Sequence, residues 1–144
     1  MYLNSPINDL RNYFLNFPNL KEDSALNVDF LSTDDIEYSI SAMPTNPVVT
    51  QYLDGSAIKQ FNFFFESREY QNIDSEQNIK NMAFYDSLSE WIFNNNVRGV
   101  LPTLSDSTKI SQKLEVTTGG YIFDENQKTA RYQIQCKLTY YQEV

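Results

Sequence analysis

The chain has no histidine. That absence removes the Ser-His-Asp triad, the Cys-His pair, His-ligated zinc and any imidazole acid or base working near neutral pH. Any remaining chemistry would have to come from carboxylate pairs, lysine or tyrosine, so the sequence reads as a protein that is not an enzyme. Cysteine is nearly as scarce. Cys136 stands alone, which forbids an internal disulfide, and its place in an apolar alternation predicts a small buried hydrophobe. Basic residues are few, 11 Lys and Arg against 19 Asp and Glu, for a formal charge of −8. That balance repels phosphate backbones and anionic headgroups. No short window gathers more than a pair of basic residues, so neither nucleic acid nor a membrane is expected as a partner. No apolar run approaches the roughly 18–20 residues that span a bilayer. Met1 to Leu20 lacks a basic segment followed by an apolar one, and the expected setting is intracellular. Against only four glycines stand 10 Tyr, 10 Phe and 1 Trp, which argues for an aromatic-rich packed core rather than disorder. A length of 144 residues fits one domain, long enough to bury about two-thirds of its unfolded surface.

The clearest pattern lies near the end. From Thr129 to Tyr141 the chain alternates, with Tyr132, Ile134, Cys136, Leu138 and Tyr140 on one face and Arg131, Gln133, Gln135, Lys137 and Thr139 on the other. This is a strand about twice the usual length, expected to offer a polar face and backbone to something else. Earlier, Ser5 before Pro6 marks a helix start, and Ile7, Leu10, Phe14 and Phe17 recur at helical spacing before Pro18. Leu26, Val28 and Phe30 then alternate, as do Ile36, Tyr38, Ile40 and Ala42. These two strands are expected to pair antiparallel around the polar Ser32 to Asp35 turn. Asp54-Gly55 joins Val48–Tyr52 to Ser56–Ser67 as a hairpin, whose second arm carries Phe61, Phe63 and Phe65 on a core face and reads as central in the sheet.

Asp74, with Gln77 three residues on, opens the principal helix, expected to reach about Asn95. Phe84, Tyr85, Leu88, Trp91 and Ile92 share one face, and Ile79, Met82, Ala83 and Phe93 lie nearly opposite. One face must cover the sheet; the other calls for an intramolecular cover or a neighbouring subunit. After an irregular connection from Val97 to Thr108, Gln112–Thr118 should pair with the chain beyond Gly119-Gly120, a glycine pair that marks a bulge or bend. Tyr121–Asp124 and the closing strand then form a hairpin around Glu125 to Lys128. The expected fold is α+β: a mostly antiparallel sheet with a long C-terminal hairpin, covered by two main helices at about 6–17 and 74–95.

The candidate chemical groupings are weak. Asp34, Asp35 and Glu37 form the densest carboxylate group, but their spacing is not that of a calcium loop and fits a solvated strand entrance. Gly119-Gly120 lacks the further residues of a phosphate cradle, and Arg68, Glu69 and Tyr70 read as a strand end. No catalytic residue, metal site or cofactor is expected.

Two stretches carry a resemblance: QYLDGSAIKQFNFFFESREYQNIDSEQNIKNMAFYDSLSEWIFN at Gln51 to Asn94 and KLEVTTGGYIFDENQKTARYQIQCKLTYY at Lys113 to Tyr141. The DGS turn before an aromatic strand, SREY ahead of a helix holding Trp91, and the closing TARYQIQCKLTYY are its most telling pieces. Together they resemble the small tail-terminator (tail-completion, or minor capsid) proteins of long-tailed phages and prophages of Gram-positive bacteria. The resemblance implies a structural virion protein, made in the host cytoplasm and placed at the neck. There it forms a homo-oligomeric ring, expected to be a hexamer, that caps the tail tube protein and meets the head-completion or connector protein. On that reading Ile79, Met82, Ala83 and Phe93 form the subunit interface, and Ile79→Asp with Met82→Asp should abolish the ring while leaving a folded monomer. Glu125, Lys128, Gln133, Gln135 and Lys137 would then meet the tube. A head-completion stopper or connector adaptor is the neighbouring alternative; a small-ligand-binding protein or carboxylate-dependent enzyme is the one from another class.

Overall fold

The computed structural model describes residues 5–20, 26–28, 37–70, 75–125 and 129–144. Helix α1 (Pro6–Phe14) begins with Pro6 in the first turn, where a missing N–H leaves no bond unmade. The Ser5 side chain makes no cap hydrogen bond; its carbonyl accepts from the Asn8 and Asp9 N–H groups at 3.1 and 3.3 Å. The helix stops three residues short of the expected Phe17. Pro18 disfavours helical geometry at the residue before it, and Asn16 and Phe17 take tight bonds to the Tyr13 and Phe14 carbonyls, at 3.1 and 3.0 Å.

Among the described residues six strands make one sheet: β1 (Leu26–Val28), β2 (Glu37–Ala42), β3 (Val48–Gln51), β4 (Ala57–Tyr70), β5 (Lys109–Glu125) and β6 (Thr129–Gln142). Their order is β1-β2-β4-β6-β5, with β3 also paired to β4. Strand β4 is central, as its aromatic run predicts. β6 runs along its whole length on one side, while β2 takes its second half and β3 its first half on the other. Two expectations fail here. β1 and β2 pair in parallel, Leu26 with Tyr38 and Val28 with Ile40, because alternation fixes which face a side chain takes and is silent on strand direction. The Ser32 to Asp35 turn itself lies outside the described residues. The backbone of β6 is also not on offer to a partner, since β4 and β5 flank it; the long edge is β5.

The C-terminal hairpin is the longest pairing, and β5 runs straight through Gly119-Gly120 with a register shift between Thr118 and Tyr121. Gly120 is required there. A Cβ at that position would sit 2.5 Å from Cβ of Tyr85, which belongs to helix α2 (Ser75–Arg98). The helix outruns its expected end because the break comes at Gly99, whose φ of +75° suits glycine. The Gly99 N–H reaches the Asn96 carbonyl at 3.1 Å and the Val100 N–H reaches the Asn95 carbonyl at 2.8 Å, the two bonds of a Schellman end. Asn94 to Asn96 remain helical. Asp74, the expected cap, lies outside the described residues.

Both helices lie on one face of the sheet. Phe14 of α1 packs on Phe63, Phe65 and Trp91 at centroid distances of 5.9, 5.6 and 5.9 Å, and Tyr85 of α2 stacks on Tyr132 at 5.8 Å. Each such pair adds about 0.5–1.5 kcal/mol beyond area burial. Cys136 is buried in this layer, and burial pushes its thiol pKa up. The connection from Gly99 to Thr108 is pinned rather than loose: Ser105 donates from its N–H to Asp9 at 3.0 Å, Tyr13 Oη donates to the Val100 carbonyl at 2.8 Å, and Ser111 Oγ donates to the Pro102 carbonyl at 2.6 Å.

Candidate functional site

Helix α2 places Tyr85, Leu88 and Ile92 in the core and Phe84 and Trp91 against it, as their shared face predicts. The opposite side carries Ile79, Ala83, Asp86, Glu90, Phe93 and Val97, all exposed. Their spacing of four, three, four, three and four residues is that of a helix–helix seam. Ile79, Phe93 and Val97 keep 65%, 67% and 71% of their surface in solvent. Met82 does not join them: it packs against the core, because its position is turned toward the sheet by about one residue's rotation from Ala83. Asp86 and Glu90 split the seam into an Ile79/Ala83 patch and a Phe93/Val97 patch. Val97 joins the ridge because the helix runs on past the asparagine run to Arg98; its four-residue step from Phe93 is the signal for it in the sequence.

The second patch borders a cleft of about 420 Å³ between α2 and β5, lined by Ile92, Phe93, Asn96, Lys113, Glu115 and Val116 among others. Its floor is apolar and its rim charged. Asn96 fixes the helix to the strand. Its Oδ1 accepts from the Leu114 N–H at 2.9 Å and its Nδ2 donates to the Leu114 carbonyl. One carboxamide thus does for Leu114 what a neighbouring strand would, and closes the sheet edge at that residue.

The face of the sheet away from the helices carries a polar lattice, and among the described residues neither helix packs on it. Tyr121 Oη donates to Gln133 and accepts from Gln135 Nε2 at 3.0 Å. Glu115 takes Lys113 at 3.0 Å and Lys137 at 3.4 Å, and the Lys113 hydrogen bond, ahead of the Lys137 one, holds its carboxyl below the usual range. Gln133, Gln135 and Lys137 therefore stand on one half-buried surface, tied to β5 residues. Lys128 lies outside the described residues, and of Glu125 only the backbone, at the end of β5, is described. Toward β2 the same face buries Glu66, which meets Arg131 at 3.6 Å. Desolvation raises its pKa against the pull of Arg131 and Arg68.

A third feature is the β3–β4 tip. Leu53 is fully exposed there, beside half-exposed Tyr52 and Val49. The turn is well built: Gly55 has φ +96°, the Tyr52 N–H donates to the Ser56 carbonyl at 2.9 Å, and Asp54 Oδ1 accepts from the Ser56 N–H at 2.9 Å. The Ser56 side-chain and backbone hydrogen bonds lower the Asp54 pKa. An apolar residue between Tyr52 and Asp54, where turn chemistry favours polar ones, was the overlooked signal.

A second, shallower groove of about 290 Å³ lies where α1, α2 and the 99–108 connection meet. Its polar groups serve the fold: Asn95 Nδ2 donates to Tyr13 Oη at 2.9 Å and Arg98 donates to Asn95 Oδ1 at 2.9 Å. Among the described residues no three His, Cys, Asp or Glu side chains gather as a metal site. Asp34 and Asp35 are outside the described set, as is the side chain of Glu37. No protein-family model matches this chain, and neither does any curated protein or solved structure.

Proposed function

We propose that the chain is a ring-forming tail terminator of a long-tailed phage or prophage, a structural protein that caps the tail tube and joins it to the head. The observation that carries this reading is the placement of unlike surfaces on opposite sides of one sheet. An apolar, seam-spaced ridge runs along the outside of α2, and a polar lattice covers the far face of the β5–β6 hairpin. A ring subunit that also meets a tube needs one surface for its neighbours and a different one for the tube. The resemblance of Gln51–Asn94 and Lys113–Tyr141 to tail terminators supplies the specific role. On this reading Ile79, Ala83, Phe93 and Val97 face a neighbouring subunit, while Gln133, Gln135 and Lys137 face the tube.

The test is mass by light scattering across a concentration series, with negative-stain imaging of what assembles, repeated with purified tail tubes. Rings of about six subunits support the reading. A strict monomer with and without tubes overturns it. In a phage lacking the protein, tails of uncontrolled length would favour the terminator, whereas leaking heads with normal tails would move the assignment to a stopper or connector adaptor.

A further inference from the structure

Two surfaces on opposite sides of the protomer carry matching patterns. At the Lys109 end of the sheet, on the face away from the helices, Ile58 of β4 pairs with Tyr141 of β6, and Tyr141 pairs with Ile110 of β5. Directly paired residues share a face, so these three side chains form one apolar row. Ile110 keeps 50% of its surface in solvent, and Ile58 and Tyr141 are half-buried. One row inward, Lys113 pairs with Thr139. Lys113 and Lys137 share the single carboxylate of Glu115, at 3.0 and 3.4 Å, and Lys113 is the more exposed of the two. Two cations on one anion leave a positive charge over. On a chain of net charge −8, this end of the face favours an acidic occupant.

The outer side of α2 supplies the complement. Phe93 and Val97 are exposed there, with exposed Glu90 on the same side. Glu90 precedes the midpoint of the Phe93–Val97 pair by five residues, about 7.5 Å along a helix axis. Thr139, the row partner of Lys113, precedes Tyr141 by two residues, about 6.7 Å along a strand. An apolar-to-acid step therefore matches an apolar-to-base step of nearly the same length. Ridge on ridge has no such match, because Asp86 and Glu90 of one copy would meet the carboxylates of the other.

Polarity points the same way. Within one protomer α2 runs against β5, Tyr85 lying beside Gly120 and Asn96 on Leu114, so its C-terminal end points to the Lys109 end of the sheet. Setting Glu90 on Lys113 and Val97 on Ile110 lays a neighbour's α2 on the far face in that same direction. Successive copies then keep one sense and repeat by one operator, as a head-to-tail ring requires.

Resting on the ring assembly proposed above, we infer that the C-terminal half of the α2 ridge of one copy docks on the far sheet face of the next, with Phe93 and Val97 against Ile110 and Tyr141 and Glu90 facing Lys113. A straight helix meets a twisted sheet over a short length, so the contact takes this end of the face and leaves the rows from Lys137 to Gln133 for the tube.

A heterologous contact has a signature that a two-fold contact lacks. Val97→Asp spoils the ridge and keeps the face; Ile110→Asp spoils the face and keeps the ridge. Both side chains are half-exposed or more, and thermal melts of the two variants verify that each stays folded. Each alone should be monomeric under conditions where the wild-type chain forms rings. Mixed in equal amounts they should give a one-to-one dimer and nothing larger, because only one ridge–face pair remains possible. A charge swap tests the pairing itself. Glu90→Lys and Lys113→Glu should each raise the concentration needed for rings by about tenfold or more, and the double variant should bring it back near the wild-type value. Rings formed by Ile110→Asp alone, or a double variant no better than either single one, overturn the ridge-on-face contact while sparing the ring. A wild-type chain that never assembles, with or without tail tubes, overturns both.

Discussion

Two adjacent glycines make the sharpest test of the packing. A Cβ at Gly120 would meet Tyr85 Cβ at 2.5 Å, Cγ at 2.8 Å and Cδ1 at 3.2 Å, whereas one at Gly119 would meet nothing within 4 Å. The atoms in the way are the root of a buried side chain, not its flexible end, so relief at Gly120→Ala requires α2 to lift or β5 to bend. Overpacking of this kind costs about 1–3 kcal/mol. Lifting Tyr85 also breaks its 2.5 Å hydrogen bond to Ser67 Oγ, worth about another 1 kcal/mol. Gly120→Ala should therefore lose about 2–4 kcal/mol, a fall of roughly 4–16 °C in Tm for a chain of this size, while Gly119→Ala stays within about 0.5 kcal/mol. Urea unfolding followed by the fluorescence of Trp91 reads this directly. It is the sole tryptophan, and it sits 5.1, 5.9 and 5.3 Å from Tyr13, Phe14 and Phe17. Equal stabilities for the two variants would refute the close approach of helix and strand, and with it the placement of the cleft.

Asn96→Ala should cost about 1–3 kcal/mol by freeing the Leu114 N–H and C=O; hydrogen exchange at the Leu114 amide should accelerate well beyond that of its neighbours, and unchanged protection would remove the edge clamp. Ile79→Asp with Phe93→Asp should change stability by no more than about 0.5 kcal/mol and abolish assembly, whereas Met82→Asp should cost about 2 kcal/mol or more by placing a carboxylate against the core; a stable Met82→Asp monomer would contradict the packing. Stability against pH should show two opposed limbs. Asp54, Asp106 and Glu115 titrate below their ordinary values, so what they contribute is complete above the usual carboxylate range near pH 4 and is lost as pH falls through their lowered values. Glu66 is raised, so the folded state holds its proton longer than the unfolded one, and stability declines as pH rises through its raised value. Urea midpoints across the acid range should lose that upper decline in Glu66→Gln and keep the lower one; superimposable upper limbs would sink the assignment.

The parts of the fold set by local rules were legible. Period-two alternation located β6 to within a residue, Asp54-Gly55 located the β3–β4 hairpin, and the helical face of Tyr85, Leu88 and Ile92 located the core side of α2. What the sequence withheld depends on the third dimension. Strand polarity is invisible to alternation, hence the parallel β1–β2 pair. Edge or centre is equally invisible to it, hence the flanked backbone of β6. The α2 ridge was half legible: Ile79, Ala83 and Phe93 are exposed, but Met82 sits on the boundary between faces, where a rotation of about 100° per residue does not decide. The cleft could not be read at all, because it is made by Asn96 reaching a strand that starts more than ten residues later.

Edge strands invite uncontrolled growth, and the way this sheet closes its edges constrains how it can assemble. β3 is four residues long, too short to template an extended ladder. β5 is seventeen residues long, but its register shifts at four places and Asn96 occupies its outer edge at Leu114. Bulged, capped edges resist indefinite strand pairing, which would give fibres. On the proposed ring reading, side-chain contacts fix an angle between neighbours instead, and a fixed angle closes at a definite number. On that reading the disposition of Asn96 predicts how closure fails. In Asn96→Ala the β5 edge at Leu114 becomes available, so at high concentration open, polydisperse assemblies should appear beside or in place of rings. Analytical ultracentrifugation would resolve the two populations. Rings of unchanged size and sharpness would mean that the carboxamide only holds the helix to the strand.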